Sequence, residues 1–172
     1  QTFTSTYDQY VYVYPVDDIM ADGNQTYTIT IGPATSTAGD YDGVIGNTVS
    51  VTNNDNDTAS FTLSKTAVST AEWGNTADFT VVLNTQPTAD VTIPVTSPDT
   101  TEGLVSSLSA TPAAALDLTF TAANWNIPQT VTVNGQDDAD LDGDTAYDIT
   151  VGAPTGAAEY ALLTAKTVAV VN

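Results

Sequence analysis

The chain has 172 residues, 21 of them acidic, with two lysines, no arginine and no histidine, for a formal charge of -19. That balance excludes nucleic-acid binding, which needs cations to displace counterions from phosphate, and docking on anionic membranes. The absence of cysteine and histidine also excludes Ser-His triads, thiolate nucleophiles, disulfide staples and the usual zinc sites.

Hydrophobic residues make up 41% of the chain, enough for a packed core and too many for an acidic disordered tail. No apolar run is long enough to cross a bilayer, so direct membrane insertion is not expected. Gln1 does not start a translation product, so a mature or excised piece is expected.

In chain order, the first strand signal is Thr2-Phe3-Thr4. Tyr10, Tyr12 and Tyr14 follow, alternating with Val11 and Val13, which predicts a strand with the three tyrosines on one face. An acidic loop, Asp17-Asp18 to Asp22-Gly23, precedes a further strand pattern, and Thr48-Val49-Ser50-Val51 gives the next. Asn53-Asn54-Asp55-Asn56-Asp57 reads as an acidic linker. Beyond it, period-two patterns rich in Val and Thr predict strands near 59-63, 66-71, 77-83, 90-96, 117-121, 128-134, 145-151 and 165-171. Turn clusters such as Asn84-Thr85-Gln86-Pro87, Ser97-Pro98-Asp99 and Asn134-Gly135 separate them. Thr111-Pro112-Ala113-Ala114-Ala115-Leu116 is the best helical candidate, too short for more than a turn. Trp73 and Trp125 read as packing residues. The spacing predicts an all-β, antiparallel, Ig-like Greek-key sandwich.

The segment from Val16 to Gly32 returns without a gap 120 positions later, from Gln136 to Gly152. Asp17-Asp18 answers Asp137-Asp138, Asp22-Gly23 answers Asp142-Gly143, and Tyr27 answers Tyr147. Thr2-Phe3-Thr4 likewise answers Thr119-Phe120-Thr121, and Thr48-Val49-Ser50-Val51 answers Thr167-Val168-Ala169-Val170. A period this long marks tandem modules. The division falls at the linker: residues 58–172 form a complete module, and residues 1–57 are the second half of another, with 53–57 as its acidic linker. A half sandwich has open sheet edges and an uncovered apolar face. It is expected either as a piece of a longer array or as an element completed by strands of a neighbouring subunit.

The complete module resembles the Calx-beta family, particularly its long bacterial versions. The resemblance is carried by Asp78-Phe79-Thr80-Val81-Val82-Leu83 through Asp90-Val91-Thr92-Ile93-Pro94-Val95. It continues in Leu118-Thr119-Phe120-Thr121, Asn124-Trp125-Asn126-Ile127-Pro128-Gln129-Thr130-Val131-Thr132-Val133 and Asp137-Asp138. It covers about two-thirds of the chain. It implies calcium bound at one end of the sandwich, with Glu72, Asp137, Asp138 and Asp142 as ligands in the complete module. In the half-module it implies Asp17, Asp18, Asp22, Asp55 and Asp57. It also implies a cell-surface or extracellular location in a bacterium, as part of a large adhesin-type protein.

The charge pattern points to the same chemistry. Two carboxylates about 5 Å apart repel by roughly 3 kcal/mol at an effective dielectric near 20. Five aspartates between Asp137 and Asp144 therefore destabilise the loop unless a cation offsets them, and calcium accepts 6–8 oxygen ligands from flexible loops. Asp140, Asp142 and Asp144 resemble the start of an EF-hand, but flanking helices and a distal glutamate are absent. Affinity near 10⁻⁴–10⁻³ M is expected, as in extracellular modules. Tyr10, Tyr12 and Tyr14 stand where the complete module has Thr130, Thr132 and Asn134, which predicts a contact surface for another copy or a glycan. The expected function is a non-enzymatic, calcium-rigidified stalk or matrix fibre. A self-assembling filament subunit and a carbohydrate-binding module are the alternatives. A glycosidase needs two carboxylates across a cleft, and no pair stands out.

Overall fold

A computed structural model describes residues 9–37, 39–108, 110–139 and 143–172. The chain is all-β and divides into two compact units. One comprises Gln1–Asp18 and Gly23–Asp55, and the other Ile19–Asp22 and Asn56–Asn172.

The larger unit is a sandwich of two sheets. Its strands are β3 (Phe61–Leu63), β4 (Ala67–Ser69), β5 (Thr76–Leu83), β6 (Val91–Thr96), β7 (Gly103–Ser106), β8 (Ala115–Phe120), β9 (Gln129–Gly135), β10 (Ala146–Val151), β11 (Thr155–Gly156) and β12 (Lys166–Val171). One sheet runs β3-β5-β9-β7. The other runs β11-β6-β10-β12-β4, with β8 also on β6. Pairings are antiparallel except that of β12 with β4.

Strand alternation makes the core. Phe79, Val81 and Leu83 of β5, with Val131 and Val133 of β9, face Val91, Ile93 and Val95 of β6 and Ile149, Val151, Val168 and Val170 of β10 and β12. Their threonine neighbours point outward. Each fully buried Val, Ile or Phe contributes roughly 1.5–3 kcal/mol of transfer free energy. Pro94 lies mid-strand in β6, where its carbonyl accepts from Gly152 N (2.7 Å) but it has no N–H to donate. That is where β10 stops and β11 takes over. Gly152 is required there, because a β-carbon would lie 2.8 Å from the Pro94 ring.

The eight predicted strands of this unit are present. Two short ones, β7 and β11, carry too little alternation to be read from sequence. Thr111 to Leu116 is not a helical turn: Ala113 bridges Val105 and β8 begins at Ala115. The described residues contain a single 3-10 turn, Ala158–Tyr160. Trp125 packs on the core as expected, whereas Trp73 is 86% exposed on the turn after β4.

The smaller unit is built on a hairpin, β1 (Gln25–Thr30) and β2 (Thr48–Asn53). Its register pairs Thr26 with Thr52 and Thr30 with Thr48. In the sandwich, β10 and β12 pair Ala146 with Val171 and Thr150 with Thr167. With offsets of 120 for the first strand and 119 for the second, these are the same register. Three more features coincide. Asn53 Nδ2 donates to Val16 O (2.9 Å) as Asn172 Nδ2 donates to Gln136 O (3.0 Å). Val44 N donates to Tyr41 O as Leu163 N does to Tyr160 O. Gly23 and Gly143 both have positive φ, 79° and 74°. The repeat in sequence is thus a repeat in backbone hydrogen bonding.

Residues 10–14 form no strand among the described residues, contrary to the pattern. In the sandwich the matching strand β9 lies between β5 and β7, and the smaller unit has no counterpart of either among its described residues. Alternation alone does not make a strand where no ladder partner exists. Thr2-Phe3-Thr4 lies outside the described residues.

Candidate functional site

Five segments of the sandwich end together: β4, the β6–β7 connection, the end of β9, the start of β10 and the end of β12. The parallel pairing of β4 with β12 sets Ser69 beside Val171, and antiparallel pairing brings Ala146 to the same level. Gly103 of β7 lies opposite Gly135 of β9.

Asn172 joins these segments. Its backbone exchanges hydrogen bonds with Thr145 (3.1 and 2.9 Å). Its side-chain carbonyl accepts from Thr70 Oγ1 (2.7 Å), and its amide donates to Glu102 Oε2 (3.2 Å) and Gln136 O. Gly135 admits this crossing, since a β-carbon there would come within 2.7 Å of Asn172 Oδ1. Glu102 is buried, 6% exposed, and its carbonyl accepts from Gln136 N (3.0 Å). Neither lysine serves this carboxylate. Lys65 donates to Asp78 O (2.6 Å), and Lys166 donates to Phe61 O and lies over the Phe61 ring.

Asp99 accepts from the Thr101 hydroxyl (2.6 Å) and N–H (3.2 Å). The hydroxyl bond leads in holding its carboxyl below the usual range. The Tyr147 hydroxyl is buried with no well-formed hydrogen bond and lies against Gly103. Burial pushes its pKa up, the Thr70 hydroxyl works against that, and the Glu102 and Asp99 charges push it further up.

Of the predicted ligands, Glu72 is half-buried on the turn following β4, and Asp137 and Asp138 are exposed in the loop after β9. Asp142 lies outside the described residues. In the smaller unit, Asp17 and Asp18 are exposed, and Asp55 is half-buried. The Asp55 carboxylate accepts from Gly23 N (2.7 Å), and its N–H donates to Asn24 Oδ1 (2.9 Å). Asp22 is exposed and Asp57 half-buried in the larger unit. Among the described residues no three carboxylates converge closely enough to hold an ion.

Asp99 and Glu102 escaped the sequence reading. Ser97-Pro98-Asp99-Thr100-Thr101-Glu102 looks like an ordinary polar turn, and only the packing of β7 against β9 buries the glutamate. The one local signal is the apolar Leu104-Val105 pair that follows Gly103.

Tyr10, Tyr12 and Tyr14 are 71%, 75% and 77% exposed. Nearby, Val13, Pro15, Tyr27 and Val51 line an open groove in the smaller unit. Among the described residues, no helix is long and apolar enough to cross a membrane. The chain matches no family model and no curated protein.

Proposed function

We propose that the chain is a non-enzymatic structural repeat of an extracellular bacterial protein, a length of stalk or matrix fibre stiffened by calcium. The second copy of the β10–β12 hairpin, in the same register and with the same Asn-to-carbonyl bond, carries this reading. Stacked identical modules give a protein length and leave chemistry to other parts. The Calx-beta resemblance supplies the calcium. It is supported by the number of carboxylates, Glu72, Asp99, Glu102, Asp137 and Asp138, on segments that end on one side of the sandwich, with both lysines engaged elsewhere.

Thermal unfolding in calcium and in chelator tests it. With an affinity of 10⁻⁴–10⁻³ M, 10 mM calcium stabilises by roughly 1.4–2.7 kcal/mol per site, a rise of about 5–15 °C for a domain near 100 residues. Replacing Asp137 and Asp138 with Asn should abolish that rise and leave the melting temperature in chelator unchanged. An equal loss in both conditions would make these residues turn formers, and no rise in the parent chain would remove calcium from the function.

A further inference from the structure

The geometry points to the smaller unit as a docking surface for one kind of occupant: a polypeptide with the strand pattern of residues 58–118, the first half of the repeat. This inference rests on the repeat reading above and not on calcium.

The chain itself shows what covers the equivalent surface. Val131 and Val133 of β9 are 0% exposed, whereas their counterparts Val11 and Val13 are 73% and 42% exposed. Val168 is 0% exposed and its counterpart Val49 is 49%. In the sandwich these positions pack under Phe79, Val81, Val91 and Ile93, all from the first half. The tyrosine of the 3-10 turn tells the same story. Tyr160 is 0% exposed and bonds Thr85 Oγ1 and Thr85 O, each at 2.7 Å. Its counterpart Tyr41 keeps the same turn bond but is 68% exposed, because residues 1–57 include no equivalent of Thr85. The hairpin register, the turn and the apolar positions all match the surface that the first half covers in the sandwich.

A second copy does not fill this surface by exchanging strands. Each copy holds one first half and two second halves. Lending the first half uncovers Val131, Val133, Val168 and Val170 in the lender, so the exchange buries no additional apolar surface. The occupant is a first-half segment other than the one already packed in a sandwich. Pro15 limits how it binds. It replaces Gly135, whose N–H donates to Asn75 O, so the added ladder ends at Tyr14.

The test mixes the full chain with a synthetic polypeptide of residues 58–118 and follows hydrogen exchange. Amides of residues 11–14 should slow by at least about a hundredfold, while those of β9 stay as they were. Val11→Asp combined with Val13→Asp should abolish the effect without changing the unfolding of the sandwich. If the free polypeptide precipitates, the same sequence joined directly ahead of Thr2 restores the repeat spacing and should give the same protection. Three results would overturn the proposal: no protection in either format, undiminished protection in the double variant, or protection in the chain alone accompanied by dimers, which would make a second copy the occupant. A melting temperature indifferent to calcium would leave it standing.

Discussion

Gly103 has no room for a side chain. A β-carbon there would lie 1.9 Å from the Tyr147 hydroxyl, whose ring is held by the core. Gly103→Ala should therefore cost about 2–3 kcal/mol by overpacking, read by denaturant unfolding, and pairing it with Tyr147→Phe should recover part of the loss. Without that recovery the glycine would be serving the backbone and not the contact. Glu159 offers a test in pH. Burial raises its pKa, but the Thr88 N–H, its own N–H and the Thr88 hydroxyl outweigh that, and the carboxyl sits below its ordinary 4.5. Its oxygens accept from Thr88 N (2.7 Å) and Oγ1 (2.9 Å). A carboxylate depressed in the fold stabilises fully above pH 4.5 and loses that contribution as pH falls through its lower folded value. Glu159→Gln should cost at most about 1 kcal/mol at pH 7 and flatten the acid limb of the stability profile. An unchanged acid limb would assign that limb to other carboxylates. Neither Gly103 nor Glu159 was legible as special, since each depends on a residue more than 40 positions away.

At the scale of elements, the same pattern has two outcomes. Gln129-Thr130-Val131-Thr132-Val133 forms β9 between two ladders, whereas Tyr10-Val11-Tyr12-Val13-Tyr14 forms no strand among the described residues. Strand propensity is a preference for a pleated, half-covered surface, and it is realised only when a neighbour supplies the hydrogen bonds. The tyrosines match Thr130, Thr132 and Asn134, which lie outside the buried core, whereas Val11 and Val13 match the core residues Val131 and Val133. Replacing all three with Thr should leave docking of a first-half segment within about twofold and should weaken self-association or glycan binding, provided exposed aromatics carry those contacts. Sedimentation and glycan arrays read this out, and unaltered behaviour in both would deny the row a contact role. Element type was well legible for the long Val/Thr strands. It was not for β7, where four residues carry only one clear alternation, nor for Ala113 to Leu116, where alanine content suggested a turn and pairing with β6 and β7 decided otherwise.

At the scale of the whole molecule, the two units should differ in stability. The sandwich closes a core of nineteen buried apolar residues, while the smaller unit holds a two-stranded hairpin with none buried among its described residues. An isolated hairpin is marginal in water. Amides of β1 and β2 should therefore exchange orders of magnitude faster than those of β5 and β9. Comparable protection would mean that the smaller unit finds a cover in solution.

The sequence by itself determined the all-β class, the eight main strands, the gapless repeat and the places of the two acidic loops in it. These follow from local rules: period-two alternation, turn chemistry and self-similarity along the chain. Tertiary structure alone decided that Glu102 is buried beside Asn172, that Tyr160 is locked by Thr85 while Tyr41 is not, and that β9 is a strand while residues 10–14 are not. Each of these depends on whether a distant segment is present to supply a hydrogen bond or an apolar face, and no local pattern encodes that.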